Sequence, residues 1–212
     1  MSIETSRDAY ANPPLRKSDL ASEPIAQLRV WLEDAFAHPD VREANAMSLA
    51  TAGRDGAPSA RVVLLRGLDD RGLHFYTSYF SRKAVQMNEN PHVAATFFWP
   101  ALHRQVRVEG LAATLSEDES DAYFASRPRA HQLSAWASEQ SEVLERREIL
   151  AERMTHFDER FAGEAVPRPH SWGGYVIAPQ YVEFWQGQAN RLHDRLAYVR
   201  VAGGWTLRRL QP

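Results

Sequence analysis

Cysteine is missing altogether from this chain of 212 residues. Its absence excludes a disulfide, a thiol nucleophile, an iron–sulfur cluster and a Cys-ligated zinc. Long apolar runs are missing too, so no transmembrane helix and no membrane partner are expected. The first twenty residues mix charges with Pro and Asn around no apolar centre. That is not a secretory signal, and the expected location is the cytoplasm. An excess of one charge is the third absence. Lys and Arg number 25 against 27 Asp and Glu, a formal charge of -2, which disfavours nucleic acid as a partner. The eight His residues show no metal-ligand spacing, so no metal is expected. There is no Walker loop, GxSxG elbow or HExxH motif, and no carboxylate pair arranged for hydrolysis.

What is present reads as an ordinary globular chain. Residues 1–20 form a polar stretch expected to be a flexible N-terminal arm, and 21–212 a single domain with a helical insertion at about 117–161. Ser22-Glu23-Pro24 resembles a helix start with Ser22 as N-cap, and Ile25, Leu28, Leu32, Ala35 and Phe36 follow at helical spacing to His38-Pro39. Runs at Met47–Ala52, Ser59–Arg66 and Leu73–Thr77 are separated by Asp/Gly turns, as in antiparallel hairpins. Ser81–Asn90 predicts a short helix, His92–Trp99 and His103–Leu115 two long strands, and Glu117–Ser126 and Arg129 to about Phe161 helices. Gly174–Ile177, Tyr181–Gln186, Arg195–Val201 and Trp205–Leu210 predict four closing strands. Eight or nine mostly antiparallel strands with four or five helices fit a mainly β, α+β class. A closed or split β-barrel is the economical form, because closure removes sheet edges.

Five segments carry candidate chemistry. Arg82 and Lys83 lie in the first turn of a helix capped by Ser81, where the helix dipole disfavours cations. Either an anion sits there, held by backbone N–H groups and two cations, or both side chains point into water. In Arg191-Leu192-His193-Asp194-Arg195, an extended chain would put Arg191, His193 and Arg195 on one side, suited to an anionic ring or phosphate or else to cross-strand ion pairs. Trp185, just before, is a core residue or an aromatic platform. Gln105, Arg107 and Glu109 share a strand face that contacts a heteroaromatic ring or faces solvent. Arg61 and Arg66 fall on opposite strand faces, so serving one ligand requires the strand to end, bend or bulge between them. Tyr123 and Arg127 adjoin at i, i+4 and could grip a phosphate.

Taken in order, RVVLLR (61–66), FYT (75–77), SRK (81–83), RQVRVEG (104–110), YFASRPR (123–129), WASEQS (136–141), EFWQG (183–187), RLHDR (191–195) and the C-terminal RRLQP give a sequence that resembles the pyridoxamine/pyridoxine 5'-phosphate oxidase family over nearly its whole length. The resemblance implies an FMN-binding split β-barrel and a homodimer with active sites at the interface. It implies that Arg61, Val62, Val63, Leu64, Leu65, Arg66, Tyr76, Thr77, Arg82, Lys83, Gln105, Gln140, Ser141, Trp185 and Arg195 bind FMN. It implies that Arg66, Tyr123, Arg127, His131, Arg191, Leu192 and His193 bind the substrate, a phosphorylated B6 vitamer, and that Arg191 and His193 are catalytic. Arg195 is expected to favour negative charge on the reduced flavin. An arm around Arg7 and Tyr10 is expected to cover the substrate. Two positions depart from the family pattern: Arg66, where Lys is usual, and His131, where Ser is usual. The implied activity oxidises pyridoxamine or pyridoxine 5'-phosphate to pyridoxal 5'-phosphate, with O2 reduced to H2O2. A related oxidase acting in phenazine-type biosynthesis and a non-enzymatic flavin- or haem-binding protein are the competing readings. The full RLHDR and RPR segments speak against the carrier, which needs no second phosphate site.

Overall fold

The structure, a computed structural model, describes Tyr10 and residues 12–212. Arg7 lies outside the described residues. Helix α1 (Pro24–Ala37) precedes strands β1 (Ala46–Ala52), β2 (Pro58–Leu64), β3 (Gly67–Asp69) and β4 (Gly72–Ser78). Helix α2 (Arg82–Glu89) leads into β5 (His92–Trp99) and β6 (Arg104–Thr114). Helices α3 (Glu117–Ser126), α4 (Arg129–Ala137) and α5 (Glu148–Arg160) follow, and β7 (Trp172–Gln186), β8 (Asp194–Val201) and β9 (Gly204–Leu210) close the chain.

All strand pairs among the described residues are antiparallel, in the order β2-β1-β5-β6-β7-β4-β3, with β8 on β7 and β9 on β8. The sheet curls because β7 changes neighbours along its length. Its first half pairs with β4, its second half with β8, and β6 runs beside both. Beyond β2, the Arg66 N–H donates to the His74 carbonyl at 2.8 Å, tying the two ends of the sheet together as a split barrel. Alternation then sorts the side chains. Leu49, Phe97, Val106, Phe184 and Leu196 turn inward and are fully buried, and α1 covers them with Leu28 and Trp31. Each such side chain contributes roughly 1.5–3 kcal/mol by burial. A second, smaller core of Phe124, Leu133, Phe161, Val166 and Trp172 holds α3–α5 to the start of β7.

Four sequence expectations need correction. The N-cap of α1 is Glu23, not Ser22. Pro24 at the first helical position forces its predecessor into extended backbone, and Glu23 has φ -118° and ψ 137°. The stretch from Arg129 to Phe161 is two helices, with residues 138–147 outside any helix. Its composition favours helix, but Ser141 has φ +80° and the Gln140 side chain reaches away to Thr77. Gly174–Ile177 and Tyr181–Gln186 are one 15-residue strand, β7. Pro179 is accommodated where the β6–β7 register shifts at Glu109/Gly110. Any side chain at Gly110 would meet the Ala178 carbonyl at 2.2 Å, so glycine is required there. Finally, the segment 191–195 is extended only from Asp194. Ala189–Arg191 is a single tight turn, with Asn190 and Arg191 at φ +56° and +61°.

Candidate functional site

A cavity of about 830 Å³ opens where barrel closure brings β2, β4, α2, α3 and α4 together. Arg61, Val62, Val63, Leu64 and Arg66 line one wall, Tyr76, Thr77 and Lys83 the floor, and Tyr123, Arg127, His131, Gln140 and Trp172 the far side. Arg61 and Arg66 reach one cavity because β2 ends at Leu64 between them. Leu65 turns inward and packs in the core instead. Among the described residues lining this cavity are four cations, Arg61, Arg66, Lys83 and Arg127, and no carboxylate.

Lys83 does not point into water. It is 7% exposed, and its Nζ donates to Thr77 Oγ1 at 3.0 Å and to Ser81 Oγ at 3.2 Å. Ser81 occupies the N-cap position of α2 but makes no side-chain cap bond, since its hydroxyl donates to the Ser78 carbonyl. Thr77 in turn donates to Gln140 Oε1 at 2.9 Å. The Arg82 side chain is exposed, and its backbone N–H donates to Ser141 Oγ at 3.1 Å. Burial, and then the nearby Arg61, lower the Lys83 ammonium to a pKa of about 8. Above that pH the free protein loses this charge, while a phosphate monoester stays dianionic. Affinity for such an ester is therefore expected to fall about tenfold as pH rises through 8, the loss of a charge-assisted hydrogen bond. Calorimetric titration with the ester and its unphosphorylated alcohol reads this directly; equal pH profiles for the two would remove Lys83 from the anion's partners.

The far side is aromatic. Tyr76 stacks on Tyr123 with centroids 3.7 Å apart, and Trp172 continues the stack 5.6 Å from Tyr76. The Arg127 guanidinium lies over the Trp172 ring at 4.5 Å. Its Nη1 is buried without a hydrogen-bond partner, an unsatisfied donor of the kind an anion would fill. His131 is exposed at the rim.

The remaining candidates gather elsewhere. Gln105, Trp185 and Arg195 are direct cross-strand neighbours on β6, β7 and β8. Trp185 is half-buried rather than core, and the His193 ring lies 4.7 Å from it. His193 Nδ1 accepts the Gln188 backbone N–H at 3.1 Å, which leaves Nε2 as the protonated nitrogen of the neutral ring. Burial and the Arg191 charge lower its pKa, favouring that neutral form. Tyr10 packs edge-on against His103, His193 and Trp185. Leu192 is exposed.

Arg195 is already paired. Its Nε and Nη2 donate to Glu183 at 2.7 and 3.0 Å, and Arg107 and the Tyr181 hydroxyl bind the same carboxylate. Burial pushes the Glu183 carboxyl up, but the bonds from Arg195 and Tyr181 outweigh it and hold it below the usual range. The electrostatic help expected from Arg195 is thus offset by a buried neighbour. Sequence reading missed Glu183, although strand alternation places it on the same face as Trp185.

These two groups border opposite ends of β7. Trp172 borders the cavity and Trp185 the second group, thirteen residues apart on β7, roughly 40 Å of strand path at about 3.3 Å per residue. No residue of the second group lines the cavity.

Comparison with known proteins agrees with this geometry. Residues 33–161 match a family model described as pyridoxamine 5'-phosphate oxidase, and residues 172–212 one described as the pyridoxine 5'-phosphate oxidase C-terminal dimerisation region. The pyridoxine/pyridoxamine 5'-phosphate oxidase of Rubrobacter xylanophilus is 53% identical over 97% of this chain and 94% of its own. The protein of that name from Salinibacter ruber is 51% identical, over 97% of both chains. Among solved structures, PhzG from Burkholderia lata 383, in complex with tetrahydrophenazine-1-carboxylic acid, superposes with a TM-score of 0.90 at 35% identity, covering 97% of this chain and 100% of that one. A pyridoxamine 5'-phosphate oxidase-related, FMN binding protein from Nostoc punctiforme shares the fold, with a TM-score of 0.67 at 18% identity over 89% and 95% of the two chains.

Proposed function

Since the chain belongs to the pyridoxamine 5'-phosphate oxidase family of oxidoreductases, we propose that it is an FMN-dependent oxidase of pyridoxamine 5'-phosphate and pyridoxine 5'-phosphate. With the alcohol, O2 is reduced to H2O2 as pyridoxal 5'-phosphate forms; with the amine, one water is also consumed and ammonia released. The observation that carries this reading is the cavity with four cations, no carboxylate and one buried guanidinium donor left without a partner. Such a donor set fits phosphate esters, and the stacked Tyr76, Tyr123 and Trp172 fit flat rings beside them.

FMN, when bound, supplies the two-electron redox chemistry and its coupling to O2. Arg61, Arg82, Lys83, Thr77, Gln140 and Ser141 would hold its phosphate end, and the Val62–Leu64 segment and Tyr76 would border the rest. Arg66, Tyr123, Arg127 and His131 would take the substrate phosphate. Arg191 and His193 would orient the substrate ring, His193 with its proton kept on Nε2. The remaining flavin contacts, Gln105, Trp185 and Arg195, would come from a second copy of the chain. Three features support a homodimer: the match to a dimerisation region, the separation of the two groups along β7, and an outer sheet face on which Val62 and Phe98 stand 64% and 60% exposed. Positioning and charge are the protein's whole contribution, which agrees with the lack of a poised carboxylate in the cavity.

The likeness to PhzG favours one competing reading, oxidation of a reduced phenazine carboxylic acid. Arg127 and Tyr123 argue against it, as a phosphate grip that such a substrate does not use. The FMN-loaded protein is expected to release one peroxide per pyridoxal 5'-phosphate formed, with unphosphorylated pyridoxamine at least about a hundredfold poorer in kcat/KM. No peroxide from the phosphorylated amine, or faster turnover of the phenazine, would overturn the assignment.

A further inference from the structure

Every partner of the Arg61 side chain is neutral. Its Nη1 donates to the Leu49 carbonyl at 3.2 Å and to Thr51 Oγ1 at 2.6 Å, and its Nη2 to Ser59 Oγ at 2.6 Å. No ion pair to Arg61 occurs among the described residues. Behind those hydroxyls sits one atom, the side-chain oxygen of Gln86, a buried residue of α2. It accepts from Thr51 Oγ1 at 2.6 Å and from Ser59 Oγ at 2.7 Å, with Arg61 Nη2 at 3.5 Å.

A hydroxyl has one proton to give. Thr51 and Ser59 each commit theirs to Gln86, which leaves only lone pairs facing the guanidinium. Both must then accept from Arg61, and the amide oxygen of Gln86 thereby sets the direction of the whole relay. Gln86 also stands one helical turn beyond Lys83 on the same helix, so Arg61 and Lys83, two of the cavity's four cations, are held by one element. A carboxylate in place of the amide would accept the same bonds, but it would neutralise the guanidinium that they aim.

We propose that Gln86 is a positioning residue that aims Arg61 into the cavity while leaving its charge intact, and so sets the preference of this site for phosphorylated over unphosphorylated flavin. The proposal rests on the FMN reading above. It explains why this corner of the barrel is built from two hydroxyls and an amide, where a carboxylate would be the stronger partner for a lone arginine.

The test compares the flavin-free full chain with its Gln86→Glu and Gln86→Met variants, titrated with FMN and with riboflavin by flavin fluorescence. In Gln86→Glu the ratio of FMN to riboflavin affinity is expected to fall at least tenfold, with riboflavin binding within about twofold of the unsubstituted protein. A purely structural role predicts the opposite pattern, equal weakening of both flavins. A ratio within twofold of the unsubstituted protein would overturn the proposal. Should Gln86→Glu fail to fold, Gln86→Met is read in the same way, because it frees both hydroxyl protons and lets them oppose the guanidinium. Failure of the unsubstituted protein to bind FMN at all would refute the cofactor reading first, and this proposal with it.

Discussion

Replacing Arg191 or His193 by alanine is expected to lower turnover about a hundredfold while leaving flavin bound, the loss that follows when a reacting group is misplaced by an ångström or so. Neither residue touches the cationic cavity. Both stand at the opposite end of β7, in and just after the tight turn Ala189–Arg191, where Arg191 is held at φ +61°. A non-glycine residue in the left-handed region is uncommon, and here it lifts the arginine off the line that a strand would impose. His193 is aimed by the Gln188 N–H and packed against Trp185. Arg191 is exposed and His193 half-buried, so neither side chain is committed to the core. Steady-state turnover together with visible flavin absorbance per chain separates the outcomes. Loss of flavin in His193→Ala would mean that this face serves the cofactor, not the substrate.

The second large effect concerns stability. Glu183 is 2% exposed and binds Arg195, Arg107 and Tyr181 at once. Removing one partner of a buried pair costs about 3–5 kcal/mol. Arg195 and Arg107 retain 27% and 40% side-chain exposure and can recover some hydration, so the expected cost of Glu183→Ala is nearer 2 kcal/mol. For a chain of this size that lowers Tm by roughly 4–8 °C. The pH dependence has a fixed sign. The folded carboxyl is held below its ordinary value, so its contribution is complete above the unfolded carboxylate range and disappears as pH falls through the folded value. Melting curves of the two proteins should converge in acid. Coincident curves at neutral pH would show that the network is dispensable.

Local signals and tertiary ones differed sharply in how far the amino-acid order revealed them. Helix α3 begins and ends where composition puts it, because Ser116 and Glu119 cap it reciprocally within four residues. Strand β5 likewise has the expected limits, set by Asn90-Pro91 before it and Pro100 after it. The link 138–147 reads as helix because its residues are good helix formers; what holds Gln140 out of a helix is Thr77, 63 positions away. The same limit applied to the cavity. Arg61, Lys83 and the Tyr123–Arg127 pair come from β2, α2 and the end of α3, which only barrel closure brings together, so spacing alone left each of them with a plain alternative. Resemblance to the family gathered them where spacing could not. Neither approach found Gln86 or Glu183, since a polar residue that turns inward looks the same in sequence as one that turns out.

The carboxylate-free cradle has a consequence for the protein's supply. Empty, it holds like charges against one another, and the free energy of loading goes in part to relieving them. Flavin at a hundred times its dissociation constant would add about 2.7 kcal/mol to the folded state. On the proposed FMN reading, cofactor availability would then govern how much of this chain survives proteolytic quality control, as well as how fast each copy works.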